Sequence, residues 1–294
     1  NVNLFFRDDA QNVIYAGDSA VKANVTAKSV GGKINLSKVD SETGAVAQGD
    51  AILKGAVYAV YNSVGNEIAR LTIGDDLTAK TDYLDLGTYT IKEVGAPNGY
   101  NLSNETYTVT ITADNLNPVV QVKDNVIKGN LEILKKLEST DYDSEINLSG
   151  AQFKITLKSD TTKVYYTNES GLDGICRVDN LPYGQYIVEE VTVPNSAFKV
   201  DNFEITISED SRTYERTIVD KSKKMKIAVE KILLPEVVGK TDAKVSGAYF
   251  TVYTDEAATV PYKDKNGSVV VIGPTNKDGY AVSKAMKTGS YYLK

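Results

Sequence analysis

Histidine and tryptophan are absent from this chain, and Cys176 is its only cysteine. Zinc sites draw on His and Cys clusters, nucleophilic triads ordinarily need a histidine base, and dithiol chemistry needs a second thiol. Three large enzyme classes therefore lose their working parts, and no metal or cofactor is expected. Cys176 has no intrachain disulfide partner and reads as a small buried hydrophobe. No apolar run approaches the roughly 18 residues of a membrane span. An excess of basic residues is missing as well: the net charge of -6 argues against a nucleic-acid partner or an anionic membrane. The one cationic stretch, Lys221 to Lys226, reads as a solvated linker. No segment sustains helical periodicity for three turns.

What the chain does contain is a repeat. Its 294 residues suit two or three domains of about 100 residues each, and short blocks recur in the same order along it. The first block is an alternating strand ending in lysine: Ile34, Leu36, Lys38, then Leu131, Ile133, Lys135, then Ile227, Val229, Lys231. Two apolar residues at a spacing of two precede each lysine, which predicts that all three lysines point inward. The second block, LKGAVYAVY, LSGAQFKIT and VSGAYFTVY, holds Gly55, Gly150 and Gly247 in one register. The third ends in glutamate, LGTYTIKEVGAP around Glu93 and YGQYIVEEVTVP around Glu190. Lysine and glutamate are equally spaced in both copies, which implies equal topology. Each copy then closes on a strand delivering an aspartate, Asp124 in VVQVKD and Asp220 in TIVD.

Between the blocks, β-like runs such as TYTVTIT and KVYYT alternate with Asn, Asp and Gly clusters, the pattern of an all-β sandwich rather than βαβ units. The expected division is a remnant of a preceding domain over 1–31, sandwich domains over 32–127 and 128–223, and a third over 224–294. The third stops at GSYYLK, which matches GTYTIK just before Glu93, so its glutamate is expected in the next residue and Lys231 has no partner in this chain. No signal peptide or wall anchor is legible, and the ends read as cut points in a longer protein. Short linkers between the domains predict a stiff rod.

A lysine, a glutamate and an aspartate pointing into one core must meet, because isolated buried charges cost several kcal/mol each. They form either a buried ion cluster or a reactive one. Apolar surroundings favour a neutral amine beside a protonated carboxyl, and a neutral amine can attack. With a glutamate to shuttle protons, the amine and the aspartate carboxyl would condense to an amide and release water.

As a set, LSKVDSETG, LKGAVYAVY and YTIKEVGAPNGY resemble the Cna B-type, prealbumin-like repeats of Gram-positive adhesins and pilins, over roughly residues 32 to 294. That resemblance implies tandem prealbumin-like, Ig-like β-sandwiches whose first-strand lysine bonds to a last-strand Asn or Asp, with the glutamate as catalyst. Carried over by position, the triads are Lys38, Glu93, Asp124 and Lys135, Glu190, Asp220, with Lys231 alone in the third repeat. Asn125 beside Asp124 is the alternative acceptor. Asp124 is preferred because it shares parity with Val120 and Val122. In the second repeat VPNSAF stands where the first has APNGY, so that turn is expected to differ.

The function so implied is a non-enzymatic stalk or spacer of an extracellular, wall-anchored adhesin or pilus, contacting neighbouring domains of its own protein. A ligand-binding sandwich recognising host glycan or matrix protein is the alternative, with such a ligand otherwise reached through domains outside this chain. LPEVVG at Leu234 is similar to a sortase signal but lacks the following apolar span and basic tail, so no sortase site is assigned. DKNG and NKDG lack the further ligands of a calcium loop and read as turns. LFFRDDAQNVIYAG, with Gln11, vaguely resembles the glutamine-bearing end of thioester adhesin domains, though an edge strand is the plainer reading.

Overall fold

The computed structural model describes residues 6–7, 13–14, 30–233 and 243–294. Gln11 and the LPEVVG stretch lie outside them. Among the described residues there is no helix, and all regular structure is β. No helix is long and apolar enough to cross a membrane.

In the first repeat, period-2 alternation decides which face each strand buries. Asn35–Asp40 buries every second side chain, placing Leu36, Lys38 and Asp40 inside. It lies between Val119–Asp124 and Thr78–Lys80 in a three-stranded sheet. The opposing sheet runs Thr106–Ile111, Gly87–Gly95, Val57–Tyr61, Glu67–Thr72, all antiparallel neighbours. Ile34, Leu36, Tyr58, Val60, Ile91, Ile111 and Val122 fill the space between them. The first and last strands are parallel neighbours, with Lys38 opposite Val122 and Asp124 opposite Asp40. Inward side chains at Lys38 and Asp124 therefore share one face, two residues apart in register.

The second repeat is built the same way. Lys128–Leu137 alternates over ten residues and pairs in parallel with Thr213–Asp220, placing Lys135 opposite Ile218 and Asp220 opposite Leu137. The facing sheet is Val164–Tyr166, Gln152–Leu157, Gly184–Thr192, Phe203–Ile207. Cys176 is buried in this core, donates to the Ala151 carbonyl at 3.3 Å, and burial pushes its thiol up. Gly55, Gly150 and Gly247 all adopt positive φ (91°, 81° and 81°), a conformation costly for any residue with a Cβ, which accounts for glycine at this place in each block.

The third repeat has shorter pairings around Val252, Val270, Ile272, Ala281 and Met286. Ala228–Glu230 pairs with Tyr280–Val282 alone among the described residues, without the parallel neighbour that the other two first strands have. DKNG and NKDG are turns: Asp264 Oδ1 accepts from the backbone of Asn266 and Ser268, and Asn276 Oδ1 from that of Asp278 and Tyr280.

The repeats also touch one another. Asp50 donates its N–H to the Tyr183 carbonyl and accepts from Gln185 N, both at 2.8 Å, while Lys128 pairs with Glu42 at 2.7 Å. The Lys221 to Lys226 stretch is ordered against its surroundings rather than a free tether. Lys224 pairs with Glu138 at 3.1 Å, and Lys224–Met225 bridges to Met286–Lys287.

Candidate functional site

Each of the first two repeats encloses one lysine with two carboxylates, all with side chains fully shielded from solvent. In the first, Lys38 Nζ contacts the Asp124 carboxylate directly and lies 3.5 Å from Glu93 Oε1. In the second, Lys135 Nζ contacts Asp220 directly and lies 3.0 Å from Glu190 Oε1. The lysine sits on the first strand, the aspartate on the last, and the glutamate reaches across from the opposing sheet. The structure thus brings together both sets of three residues singled out in the sequence. Asn125 is exposed and its Oδ1 accepts from Ser41 Oγ at 2.5 Å, so it faces away from Lys38.

Local backbone contacts fix the lysine and the glutamate. The lysine N–H donates to a tight-turn carbonyl, Leu77 in the first repeat and Gly174 in the second, both at 2.8 Å. The glutamate accepts through its second oxygen from a backbone N–H ten residues on: Ser103 to Glu93 Oε2 at 2.7 Å, Val200 to Glu190 Oε2 at 3.1 Å. That loop anchor was invisible in the sequence, because any residue except proline supplies it. The second repeat keeps it despite its altered turn sequence.

An aromatic residue lies under each amine. Tyr58 is opposite Glu93 in register and Phe153 opposite Glu190. Lys38 Nζ lies 5.3 Å from the Tyr58 ring centre, and Lys135 Nζ lies 5.4 Å from that of Phe153. Tyr58 adds a polar contact, accepting from Lys38 Nζ at 2.7 Å. Both residues stand three positions past the glycine of the second block, the signal by which they could have been found.

The electrostatics are those of charges held out of water. Burial pushes the Asp124 carboxyl up to about 7 against the pull of Lys38, with Glu93 adding to the rise. Asp220 is raised for the same reason, with Lys135 opposing and Glu190 reinforcing. Asp220 Oδ2 is buried without a hydrogen-bond partner, a costly place for an ionised oxygen and a cheaper one for a neutral carboxyl or an amide. An amine against a carboxyl carbon whose acid form is favoured, with a second carboxylate in reach of the proton, is an arrangement able to condense.

Lys231 departs from its expected place. It is exposed and lies just past Ala228–Glu230, with its N–H bonded to the Gly279 carbonyl at 2.7 Å. Parity predicted an inward side chain. No parallel strand lies beside Ala228–Glu230 among the described residues, and Ile227 and Val229 are themselves only half-buried.

Comparison with known proteins agrees with this architecture. The SpaA prealbumin-like fold domain matches twice in tandem, over residues 32–126 and 134–222. The Bacillus anthracis TIE protein superposes with a TM-score of 0.69 at 25% sequence identity, covering 91% of this chain and 45% of its own. The chain therefore spans under half the length of that relative. GBS52, the minor pilin of Streptococcus agalactiae, matches at 15% identity over 65% of this chain and 96% of its own, with a TM-score of 0.31. A streptococcal ancillary pilin matches at 16% identity over 89% and 88%, with a TM-score of 0.34. A search of curated proteins found no match. Two tandem matches over most of the chain, on two sandwiches with one topology, make this protein a member of the SpaA prealbumin-like fold domain family.

Proposed function

We propose that the chain is a load-bearing stalk segment of a Gram-positive surface adhesin or pilus, in which Lys38 with Asp124, and Lys135 with Asp220, form side-chain amides. Glu93 and Glu190 serve as the proton shuttles. The observation that carries this reading is the repetition of one buried lysine, glutamate and aspartate cluster on equivalent strands in the same register. A merely tolerated ion cluster has no reason to recur between first and last strands with both acids in place.

The neutral Lys38 amine attacks the protonated Asp124 carboxyl carbon. Its surplus proton passes to Glu93, which returns it to the departing hydroxyl. The products are one amide and one water, with Glu93 regenerated. The event occurs once per repeat, so the chain is its own substrate and no turnover follows.

Mechanical consequences follow from topology. The amide closes a loop of about 86 residues, and the loop-entropy relation for crosslinks gives about 4–5 kcal/mol of stabilisation per repeat. Tension on the repeat's ends enters along the first strand and leaves along the last, its parallel neighbour. The load passes through the Lys38 and Asp124 side chains, and the chain between them carries none. A wall-anchored rod built of such units holds an adhesive domain away from the cell surface.

The test is the intact mass of the denatured protein beside Lys38→Ala and Lys135→Ala variants. A deficit of about 18 Da per linked repeat, abolished one repeat at a time, is expected. An unshifted mass in the parent chain would leave two buried ion clusters and no covalent lock.

A further inference from the structure

The two clusters differ at one position, and the difference falls on the reacting nitrogen. Tyr58 and Phe153 occupy the same register position and place their rings at the same distance from the amine, 5.3 and 5.4 Å. The ring is common to both sites, and only the hydroxyl is particular to the first. It takes the Lys38 hydrogen bond at 2.7 Å. Where the hydroxyl is present, the direct amine-to-glutamate contact is stretched to 3.5 Å, at the limit of a hydrogen bond. Where it is absent, the amine and Glu190 Oε1 close to 3.0 Å as an ion pair, with Glu190 Oε1 otherwise without a hydrogen-bond partner.

A hydroxyl is both donor and acceptor, so Tyr58 can accept from Lys38 Nζ while turning its own hydrogen to a carboxylate. Glu93 is the group placed to receive it: it stands opposite Tyr58 in register, and both side chains contact Lys38 Nζ. Burial, with Asp124 and Glu93 nearby, holds the phenol well above its ordinary value. A phenolate is therefore not stored there, and the hydroxyl can only pass a proton on as it takes one up.

We propose that Tyr58 is a catalytic residue of the first repeat, relaying the proton from Lys38 Nζ to Glu93 that Lys135 passes to Glu190 directly. This inference rests on the amide-forming reading above. As Nζ bonds to the Asp124 carbonyl carbon, one N–H proton moves to the Tyr58 oxygen and the phenolic proton moves to Glu93. Glu93 then protonates the departing Asp124 hydroxyl, which leaves as water. Tyr58 and Glu93 end as they began, and the sum is amine plus acid to amide plus water. The two repeats thus reach one product by a two-proton and a one-proton route.

The test uses the full chain with Tyr58→Phe, which keeps the ring under Lys38 and removes only the hydroxyl. Chains made by cell-free translation are sampled over time, denatured and digested. The linked peptide pairs Lys38 to Asp124 and Lys135 to Asp220 are then quantified separately, so the second repeat is a reference within the same molecule. Linkage in the first repeat is expected to slow about ten-fold or more relative to the second. Proton transfer also leaves a signature that packing does not. In heavy water the parent's first repeat should slow more than its second, and that excess should vanish in Tyr58→Phe. If both repeats link and the first keeps its rate and isotope effect without the hydroxyl, the relay is wrong while the amide reading stands. If the parent chain links in neither repeat, both ideas fall together.

Discussion

The backbone N–H of Ser103 holds Glu93 Oε2 at 2.7 Å, leaving the other carboxylate oxygen, Oε1, turned toward Lys38. The glutamate is thus aimed by the loop that follows its own strand, and the donor is the main chain. Ser103→Pro removes that donor, whereas Ser103→Ala keeps it. Linkage of Lys38 to Asp124, followed by peptide mapping, is expected to slow by about ten-fold in the proline variant and to be unchanged in the alanine variant. Equal rates in the two variants would show that the loop does not aim the glutamate.

The acceptor is decided by which face of the last strand points inward. Asp124 is buried against Lys38, whereas Asn125 is exposed and bonded to Ser41. Asn125→Ala should therefore keep the mass deficit of the first repeat, and Asp124→Ala should abolish it. Tandem mass spectrometry of the linked peptides locates the bond to a single residue, and a bond at Asn125 would contradict this register.

A chain that cannot link exposes the cost of the unlinked carboxyl. In Glu93→Gln the shuttle is lost, yet burial, the main cause of the raised Asp124 value, remains. A carboxyl raised in the folded state holds its proton more tightly there than when unfolded. Its contribution is full below the unfolded value of 3.8 and is lost as pH rises through about 7. Urea unfolding of the first repeat in this variant should weaken between pH 4 and pH 7 by an amount on the order of a few kcal/mol. Once Asp124 is linked it has no free carboxyl, so a parent chain that links as proposed should lack this pH dependence. A variant as stable at pH 7 as at pH 4 would mean that Asp124 is ionised at no cost.

How much of this was legible in the sequence follows from which signals the side chains carry. Lys38, Glu93, Asp124 and their counterparts could be read because a buried charge breaks an apolar alternation, and because the same break recurs at the same spacing. Tyr58 and Phe153 stood in view within their blocks, but an aromatic residue beside a core reads first as packing, and only the 2.7 Å contact to Lys38 gives the hydroxyl a role. Ser103 and Val200 act through N–H groups that every residue but proline has. Lys231 shows where parity fails: alternation states which side of a strand a residue lies on, but a neighbouring strand decides whether that side is covered. The junctions depend on contacts between repeats, which no periodicity within one repeat encodes.

The junction between the second and third repeats carries the last prediction. Tyr142, in the loop after the Lys135 strand, sets its ring edge-on to Tyr262 with centroids 6.3 Å apart, and Tyr262 packs edge-on against Tyr291 at 5.2 Å. The Tyr142 hydroxyl accepts from Lys284 N at 3.1 Å, Asp141 Oδ2 from Ala285 N at 2.8 Å, and Asp143 Oδ1 from the Tyr262 hydroxyl at 2.6 Å. A loop of the second repeat therefore completes the core of the third, whose own strands are short. Tyr142→Ala removes the ring and one acceptor while leaving the cores of the first two repeats intact, at a cost of about 1–3 kcal/mol. With shorter strand pairings among the described residues, the third repeat should melt first in a calorimetric scan. For a domain of this size the variant should lower that transition by roughly 4 to 20 °C and leave the later ones in place. Unmoved transitions would mean that the third repeat stands without its neighbour and that this joint is not held by the Tyr142 contacts.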